Sequence, residues 1–335
     1  MTLVVTGATG FIGRALLPAL AARGYRVRAC RRRQSPGSEA PSGVEWRECD
    51  LLRPETLPGA LEGARGAYFL VHSMGDGGGD FRALERRSAS NFAEAAARSG
   101  LERIVYLGGV APRASASPHL ASRLEVGELL RGGAVPALEL RASMVIGNGS
   151  ASWQIVRDLA LRLPVMVLPA WLRSRTRPVA LEDVIVALVA AAELPLPRSA
   201  WFDLPGPEVL SGQQILQRIS ALRGRRPPAL EVPLLTPRLS ALWLKLVTRT
   251  DFALARELVV GLTEDLLPED ERFWELCGHT QLVPFDEAAS RALSTEPPPS
   301  GLVERIGRLE EALVGLLGSR PNRPASAPRR GRPRS

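Results

Sequence analysis

The amino-acid sequence predicts an α/β fold in which a doubly wound parallel sheet is followed by a small mixed C-terminal extension and a disordered basic tail. Three observations indicate this fold. Short apolar runs alternate with helical patterns through the first half of the chain, a glycine-rich turn follows the first run, and Pro, Arg, Ser and Ala dominate from about residue 319. A chain of 335 residues with 45% apolar content can bury a core of that kind.

Six apolar runs predict the strands of the first half: 2–7, 26–30, 44–50, 67–73, 103–109 and 137–146. Helical patterns with a 3.6-residue period separate them, most clearly at 12–23, 80–98 and 119–131. Gly100 and Gly132 follow the last two patterns, as glycines that end helices do. This alternation is typical of parallel strands joined by helical crossovers, so we expect residues 1–147 to form the core domain.

After residue 147 the pattern changes to helices, expected at 153–163, 181–193 and 211–223, with short strands near 201–204 and 229–234. We expect residues 148–318 to complete the core and the substrate pocket. Residues 236–262 could cover a pocket, lie on lipid or finish the core, and the third interpretation is favoured. Residues 319–335 lack apolar periodicity and are expected to be disordered.

The formal net charge of +8 raises the question of nucleic-acid binding. Six arginines and no acidic residue fall within residues 318–335, so much of the basic excess belongs to the tail. One stretch of it resembles an AT-hook core: Arg330, Gly331, Arg332 and Pro333. A solubilising tail explains this stretch better, and nucleic acid is not an expected partner.

The cysteines indicate neither a disulfide framework nor a metal site. Cys30, Cys49 and Cys277 are odd in number and form no CxxC pair. No apolar stretch reaches the roughly 18 residues of a membrane-spanning helix, and the N-terminus does not read as a signal peptide. A cytoplasmic protein is expected.

The turn after the first strand reads TGATGFIGR. Gly7 permits a tight turn, Gly10 lets backbone amides approach a pyrophosphate, and Gly13 lets the following helix pack closely on the strand. The helix N-terminus adds partial positive charge. We therefore expect a dinucleotide here, with a ligand-free glycine turn as the alternative. The expected contacts are Gly7, Ala8, Thr9, Gly10, Phe11, Ile12 and Gly13.

The type of dinucleotide is decided by the residues about 20 positions past the turn. They read CRRRQ, and no acidic residue precedes Glu39. Arg31 and Arg32 can bind a 2′-phosphate, which favours NADP(H) over NAD(H), although a solvated strand end would also explain them. Residues after the third and fourth strands are expected to line the same site: Asp50, Leu51, Val71, His72 and Ser73. Asp50 could accept a hydrogen bond from the adenine amino group.

With these residues placed, the chain resembles the short-chain dehydrogenase/reductase superfamily, in its atypical, NmrA-like and epimerase-like branch. TGATGFIG matches the TGxxGxxG turn of that branch, and ERIVYLGG (102–109), HLASRLEVGELLR (119–131) and ELRASMVIGNGSA (139–151) look like a bacterial subgroup of NAD(P)-binding oxidoreductase-like proteins. The resemblance implies a Rossmann fold and an NAD(P)-dependent oxidoreductase or epimerase-like enzyme acting on a small molecule. It also implies an alternative, a non-catalytic NADP(H)-binding sensor or scaffold subunit like NmrA-type regulators or an accessory subunit of respiratory complex I.

Reductases of this superfamily use a tyrosine activated by a lysine four residues later. That pair is missing, because no tyrosine is followed by lysine at this spacing and Lys245 is the single lysine. Aligned with the family motif, His119 and Arg123 stand in the two places. Gly108 and Gly109 stand near the place of the usual serine.

His119 is the candidate for proton transfer, since imidazole titrates near neutral pH without help from a lysine. Ser117 as N-cap and Pro118 after it would put His119 in the first helical turn, where the helix dipole favours its neutral form. Arg123 could hydrogen-bond a ribose hydroxyl. The favoured alternative is that His119 and Arg123 are a helix-start pair without chemistry.

A further group of arginines follows the core domain. Arg173, Arg175 and Arg177 alternate in WLRSRTRP, which in an extended segment would point them to one side. They could receive an anionic substrate, or they could form a solvated strand face.

Overall fold

The computed structural model describes residues 1–33, 41–72, 81–112, 116–163, 165–195, 197–232 and 264–295. These residues all belong to one compact unit, Met1–Glu296. Four features singled out in the sequence lie outside the described residues: Ser73, Lys245, the segment 236–262 and the tail 319–335. The domain boundary at residue 147 stays a prediction.

The strands are β1 (Thr2–Thr6), β2 (Arg26–Arg31), β3 (Val44–Glu48), β4 (Gly66–Phe69), β5 (Arg103–Gly109), β6 (Ala137–Ala142), β7 (Val145–Ile146), β8 (Met166–Pro169), β9 (Arg175–Thr176), β10 (Val179–Ala180), β11 (Ala200–Asp203), β12 (Leu210–Ser211) and β13 (Ala229–Val232). The α-helices are α1 (Phe11–Ala22), α2 (Leu57–Leu61), α3 (Phe81–Arg98), α4 (Pro118–Arg131), α5 (Ala151–Arg162), α6 (Leu181–Ala191), α7 (Gly212–Leu222), α8 (Phe273–Leu276) and α9 (Phe285–Ser294). Two 3₁₀ helices, Pro54–Thr56 and Ala170–Arg173, complete the set in the described part of the chain.

Seven strands form the central sheet in the order β11-β6-β5-β4-β1-β2-β3, and every neighbouring pair is parallel. The chain starts in the middle, winds outward to β3, returns beside β1 and winds outward in the other direction. This is the doubly wound Rossmann order, and it confirms the predicted fold class. The strand predicted near 201–204 is the seventh strand, β11, which extends the sheet beyond β6.

Helices cover both faces of the sheet, as parallel strands require. On one face, α1 and α6 bury Leu16, Leu20 and Leu188 against the sheet. On the other face, α2, α3 and α4 bury Leu61, Phe92 and Leu130. The 3.6-residue spacing of these apolar positions is the reason why the sequence predicted the long helices well.

The C-terminal extension has a core of its own around Trp153, to which α5, α7 and α9 contribute. Its strands are short and pair mostly outside the central sheet: β7 with β10, β9 with β12, and β8 with β13. The mixed extension predicted from the sequence therefore forms small two-stranded sheets. None of the helices in the described ranges is long and apolar enough to span a membrane.

The predicted strand 137–146 is two strands. The central sheet strand β6 ends at Ala142, and the chain then turns so that β7 pairs with β10. The Val179 backbone nitrogen donates to the Met144 carbonyl oxygen at 2.9 Å, and the Ser143 hydroxyl donates to the Arg177 carbonyl oxygen at 3.2 Å. The apolar pattern is continuous from 137 to 146, but these tertiary hydrogen bonds divide the segment into two strands.

Candidate functional site

A cleft of about 540 Å³ lies at the carboxyl ends of β1, β2, β4, β5 and β6, with walls completed by α1, α4 and α5. Its volume falls within the roughly 300–1,000 Å³ of sites for small molecules and cofactors. The strand order reverses here between β1 and β4, which is where open α/β sheets bind ligands. Twelve predicted cofactor residues line the cleft: Gly7, Thr9, Gly10, Phe11, Ile12, Gly13, Arg31, Arg32, Asp50, Leu51, Val71 and His72.

The glycine turn has the geometry that its spacing predicts. Gly7 has a φ of +68°, which disfavours other residues, and a Cβ there would lie 2.5 Å from the Leu70 carbonyl oxygen. A Cβ on Gly13 would lie 2.4 Å from the Gly7 carbonyl oxygen. The turn can therefore pack against β4 and α1 only because these positions carry no side chain. Ala8, another predicted contact, is buried in the core.

The first turn of α1 leaves its amides available to a ligand. Gly10 is the N-cap residue, and neither a side-chain cap nor an acidic residue occupies this turn. A helix N-terminus without a side-chain cap or an acidic residue can bind an anion through its backbone N–H groups and its dipole. A pyrophosphate therefore fits the space at Thr9, Gly10, Phe11 and Ile12, all of which line the cleft.

A second part of the cleft is suited to the adenosine end of a dinucleotide. Arg31 and Arg32 line it, and the Arg31 guanidinium lies 5.0 Å from the centre of the Trp46 ring. Asp50 lines it too and accepts a hydrogen bond from the Leu52 backbone nitrogen at 3.0 Å. Cationic groups beside an aromatic ring can bind a phosphate next to a nucleoside.

Two cysteines also line this part of the cleft. The sequence did not identify them as site residues. Cys30 and Cys49 are both buried at the ends of β2 and β3. A hydrogen bond with Cys49, together with burial, holds the pKa of the Cys30 thiol well above its usual range. Cys30 precedes Arg31 and Cys49 precedes Asp50 in the sequence, and this adjacency could have indicated that both cysteines line the cleft.

The proton-transfer candidates lie at the opposite part of the cleft. His119 and Arg123 line it from α4, and the ring of His119 lies 4.8 Å from the ring of His72, centre to centre. Ser117 caps α4 by accepting from the Leu120 backbone nitrogen at 3.3 Å, and Pro118 follows it, as the sequence predicts. The structure therefore brings two of the chain's three histidines together.

A buried carboxylate, Glu85, supports this pair and was missed by the sequence analysis. It lies on α3 and accepts hydrogen bonds from His72 Nδ1 and from the Ser122 hydroxyl. Burial alone would raise the pKa of Glu85, but these hydrogen bonds and the charge of Arg123 lower it to about 2. The carboxylate is therefore ionised at neutral pH. Glu85 falls on the apolar face of the helical pattern predicted at 80–98. An acidic residue on such a face could have indicated a buried carboxylate.

The surroundings of both histidines lower their pKa and favour the neutral imidazole. Burial, followed by the nearby charge of Arg123, lowers the pKa of His119 to about 3. Burial also lowers the pKa of His72, although Glu85 acts in the opposite direction. The sequence predicted a neutral His119 from the helix dipole, whereas the structure assigns the larger effect to burial.

None of the three tyrosines, which all fall within the described ranges, lines the cleft. The Tyr25 hydroxyl donates to Glu193 at 2.5 Å, Tyr68 donates to the Leu188 carbonyl at 2.8 Å, and Tyr106 donates to the Arg123 carbonyl at 3.0 Å. Each phenol is thus held by a protein acceptor rather than presented to the cleft. No tyrosine can take the place of His119 here.

The glycines near the place of the usual serine make room for other side chains. A Cβ on Gly108 would lie 2.7 Å from the carboxylate oxygen Oε1 of Glu139. A Cβ on Gly109 would lie 2.6 Å from Leu120 Cδ1. The space that a serine would need is already filled.

The alternating arginines do not form a row that faces the cleft. Arg175 pairs with Asp265 at 2.6 Å, and Arg177 pairs with Glu271 at 2.6 Å. Arg173 ends the second 3₁₀ helix. The structure therefore does not support a role for the group in receiving an anionic substrate.

Part of the cleft wall is apolar and is formed by side chains that the sequence did not assign to the site: Val110, Leu120, Met144, Val145, Ile155, Val156 and Leu266. Serines also line the cleft, among them Ser117, Ser143, Ser150 and Ser152. A smaller cavity of about 30 Å³ shares Met144, Ile155, Val156 and Leu266 with it. These residues come from separate parts of the chain, so no local pattern could have grouped them.

Comparison with known proteins agrees with this site. Residues 7–162 match the family of NAD(P)H-binding domains. Ceramide reductase of Caulobacter vibrioides is 30% identical over 206 residues, which cover 57% of this chain and 61% of the relative. Sterol demethylase protein B of Methylococcus capsulatus is 33% identical over 128 residues, which cover 36% and 39%. The chain thus matches only part of either relative.

Solved structures share the fold over most of this chain. Triphenylmethane reductase of Citrobacter sp. in complex with NADP(H) has a TM-score of 0.70 at 19% identity, with 87% of this chain and 100% of that chain covered. A nucleoside-diphosphate-sugar epimerase of Staphylococcus aureus has a TM-score of 0.70 at 17% identity, with the same coverage of 87% and 100%. At these identities the similarity is one of fold.

Proposed function

We propose that the protein is an NADP(H)-dependent oxidoreductase of the atypical, NmrA-like short-chain dehydrogenase/reductase type that acts on a bulky apolar carbonyl compound or the corresponding alcohol. The match of residues 7–162 to the family of NAD(P)H-binding domains supports this proposal. One observation carries the proposal. A single cleft is lined by the glycine turn, by two histidines and by an apolar wall. Such a lining combines groups that would bind a dinucleotide, groups that can exchange a proton and side chains that favour an apolar molecule.

The substrate class is argued from the apolar wall. Met144, Ile155 and Val156 are buried side chains that favour an apolar partner through the hydrophobic effect. The names of the two sequence relatives refer to a ceramide and a sterol, both large apolar molecules, and they support the same class. A small polar ketone would gain less from contact with these side chains.

The cofactor preference is argued from the arginines. When bound, the reduced cofactor supplies the hydride. Arg31 and Arg32 would hold its 2′-phosphate, and the amides of the first turn of α1 would hold its pyrophosphate. No acidic residue stands where it would bind a ribose 2′-hydroxyl ahead of Glu39.

The substitution pair R31A/R32A tests this preference. The double variant is expected to raise the NADPH dissociation constant about tenfold or more, because each charge-assisted hydrogen bond contributes about 1.5–3 kcal/mol. NADH affinity should change by less than about twofold, since NADH lacks the 2′-phosphate. Fluorescence titration of both nucleotides measures the effect.

Arg33→Ala is the matched control, because Arg33 is exposed and does not line the cleft. Equal losses of NADPH and NADH affinity in the double variant would contradict the NADP preference.

Turnover is tested by following NADPH oxidation with a long-chain ketone, a steroid ketone and a small polar ketone. We expect oxidation with at least one apolar ketone and none with the polar one. His119→Ala should slow it about 10²-fold if His119 exchanges the proton. Turnover that survives this substitution would exclude His119 from that role.

A second candidate function is a non-catalytic NADP(H) sensor or scaffold. It is favoured by the absence of a tyrosine in the cleft and by Gly108 and Gly109 near the place of the usual serine. Tight NADPH binding without oxidation on any ketone of the panel would support the sensor over the enzyme.

A further inference from the structure

The two histidines of the cleft differ in their surroundings, and the difference indicates which one is prepared for proton exchange. His72 Nδ1 contacts the carboxylate of Glu85, which also accepts from Ser122. Because Glu85 is ionised and accepts only, Nδ1 carries the hydrogen of neutral His72. The lone pair is then on Nε2, at the other edge of a ring that lines the cleft.

His119 has no such support. Its Nδ1 is buried and makes no hydrogen bond within the described part of the chain. Its ring contacts the His72 ring, and the nearby Arg123 is a cation that disfavours protonation. An imidazole oriented by a buried carboxylate is the arrangement by which proteins present a general acid or base in one tautomer.

Resting on the proposed function, we propose that His72 is a catalytic residue that exchanges a proton with the substrate oxygen through Nε2, and that Glu85 is its positioning residue. Together they replace the missing tyrosine and lysine. The proposal differs from the sequence prediction, which gave His72 to cofactor binding and considered only His119 for proton transfer.

The proton balance of reduction is simple. As the carbonyl carbon gains a hydride, the π pair of its C=O bond forms a new O–H bond with the Nε2 proton of protonated His72. His72 returns to its neutral form and is protonated again from water. Glu85 stabilises the cationic state through Nδ1–H, and in the oxidation direction neutral Nε2 accepts the hydroxyl proton.

Within the described part of the chain, the charged or titratable groups around His72 are Glu85 on α3, Arg123 and His119 on α4, and Tyr106 on β5. Glu85 favours the cation, whereas burial and Arg123 disfavour it and lower the pKa of His72. The cation is therefore scarce at neutral pH. Reduction should slow as the pH rises, because its rate follows the protonated fraction.

The decisive variant is Glu85→Gln, which keeps the shape and removes the charge. Glu94→Gln is the matched control, since Glu94 lies on the same helix with 69% of its side chain exposed. The first readout needs neither cofactor nor turnover. Nitrogen-15 NMR of labelled histidines in the ligand-free full chain reports the tautomer and titration of each ring.

The expected wild-type result is His72 with hydrogen on Nδ1 and a lone pair on Nε2. Glu85→Gln should mix the tautomers and lower the pH at which His72 protonates, whereas Glu94→Gln should change neither. A wild-type His72 with hydrogen on Nε2 would overturn the proposal. So would a Glu85→Gln variant in which the melting temperature falls but both histidines titrate as before, because Glu85 would then be only a structural link between β4 and α3.

The second readout is the rate of reduction. Glu85→Gln and His72→Gln should each slow it by about 10²-fold, with the pH profile of Glu85→Gln displaced to lower pH and the NADPH dissociation constant unchanged. Adding Glu85→Gln to His72→Gln should cost nothing further, because Glu85 acts through His72. Additive losses would refute that dependence.

The two readouts separate the two proposals. If no ketone is reduced, the proposed function fails, while NMR still decides whether Glu85 orients His72. If ketones are reduced and His72→Gln leaves the rate intact, the assignment of His72 fails and the proposed function stands. If Glu85→Gln does not fold, His72→Gln carries the rate test.

Discussion

Single residues shape this site by the space they leave as much as by the groups they present. Gly108 carries no side chain, and Glu139 occupies the volume beside it. The same carboxylate lies where a Cβ of Gly127 would be, at 2.5 Å. A side chain at Gly108 would therefore meet Glu139 in this structure, which the sequence alone did not reveal.

Gly108→Ser, which puts a serine near the usual place, is expected to lower the free energy of unfolding by about 1–3 kcal/mol, because the buried carboxylate of Glu139 cannot move away without strain. Urea denaturation measures the change. Gly59→Ala is the control, since a Cβ on this exposed helical glycine meets nothing within 4 Å. A Gly108→Ser variant as stable as wild type would show that Glu139 yields easily.

At the scale of elements, the strand β6 contains two charged residues that are both buried. Glu139 and Arg141 lie on it and pair at 2.9 Å, and Arg131 of α4 approaches Glu139 at 2.8 Å. The Arg141 guanidinium also lies 4.2 Å from the centre of the Trp201 ring on β11. These contacts connect β6 to the helix on one face and to the edge strand beside it.

Glu139→Gln is expected to lower the free energy of unfolding by about 3 kcal/mol, because the buried guanidinium of Arg141 and the partly buried one of Arg131 lose their anionic partner. Glu94→Gln, at an exposed pair with Arg98 on α3, should cost less than about 1 kcal/mol. Chemical denaturation of both variants provides the comparison. Equal costs would mean that the β6 charges are well solvated.

The elements themselves were largely predictable, because their signals are local. Periods of 3.6 residues predicted α3 and α4 closely, and apolar runs predicted β1 to β5. The short pairs β7 with β10 and β9 with β12 were not predicted, since two-residue strands have no periodicity and form only through tertiary hydrogen bonds.

At the scale of the whole molecule, the cleft gathers residues from Thr6 to Leu266. Three buried cores border it: one on each face of the sheet and one in the extension. Dinucleotide and substrate should therefore bind at a place where all three cores meet, and ligand binding should stabilise the fold as a unit.

Deleting residues 319–335 is expected to leave the NADPH dissociation constant and the melting temperature unchanged, because every described residue of the cleft precedes them. Titration and thermal denaturation of both chains measure this. DNA binding that weakens with salt and disappears on deletion would instead assign the tail to nucleic acid.

The sequence by itself determined the sheet, its long helices and the dinucleotide turn, because period, apolar runs and glycine geometry act over a few residues. Only the tertiary structure decided what surrounds His119. It placed Glu85 against His72, which lies 13 residues away on another element, and it brought Met144 and Ile155 to the same cleft. Contacts between separate elements arise from packing of the folded chain, so no local pattern could indicate them.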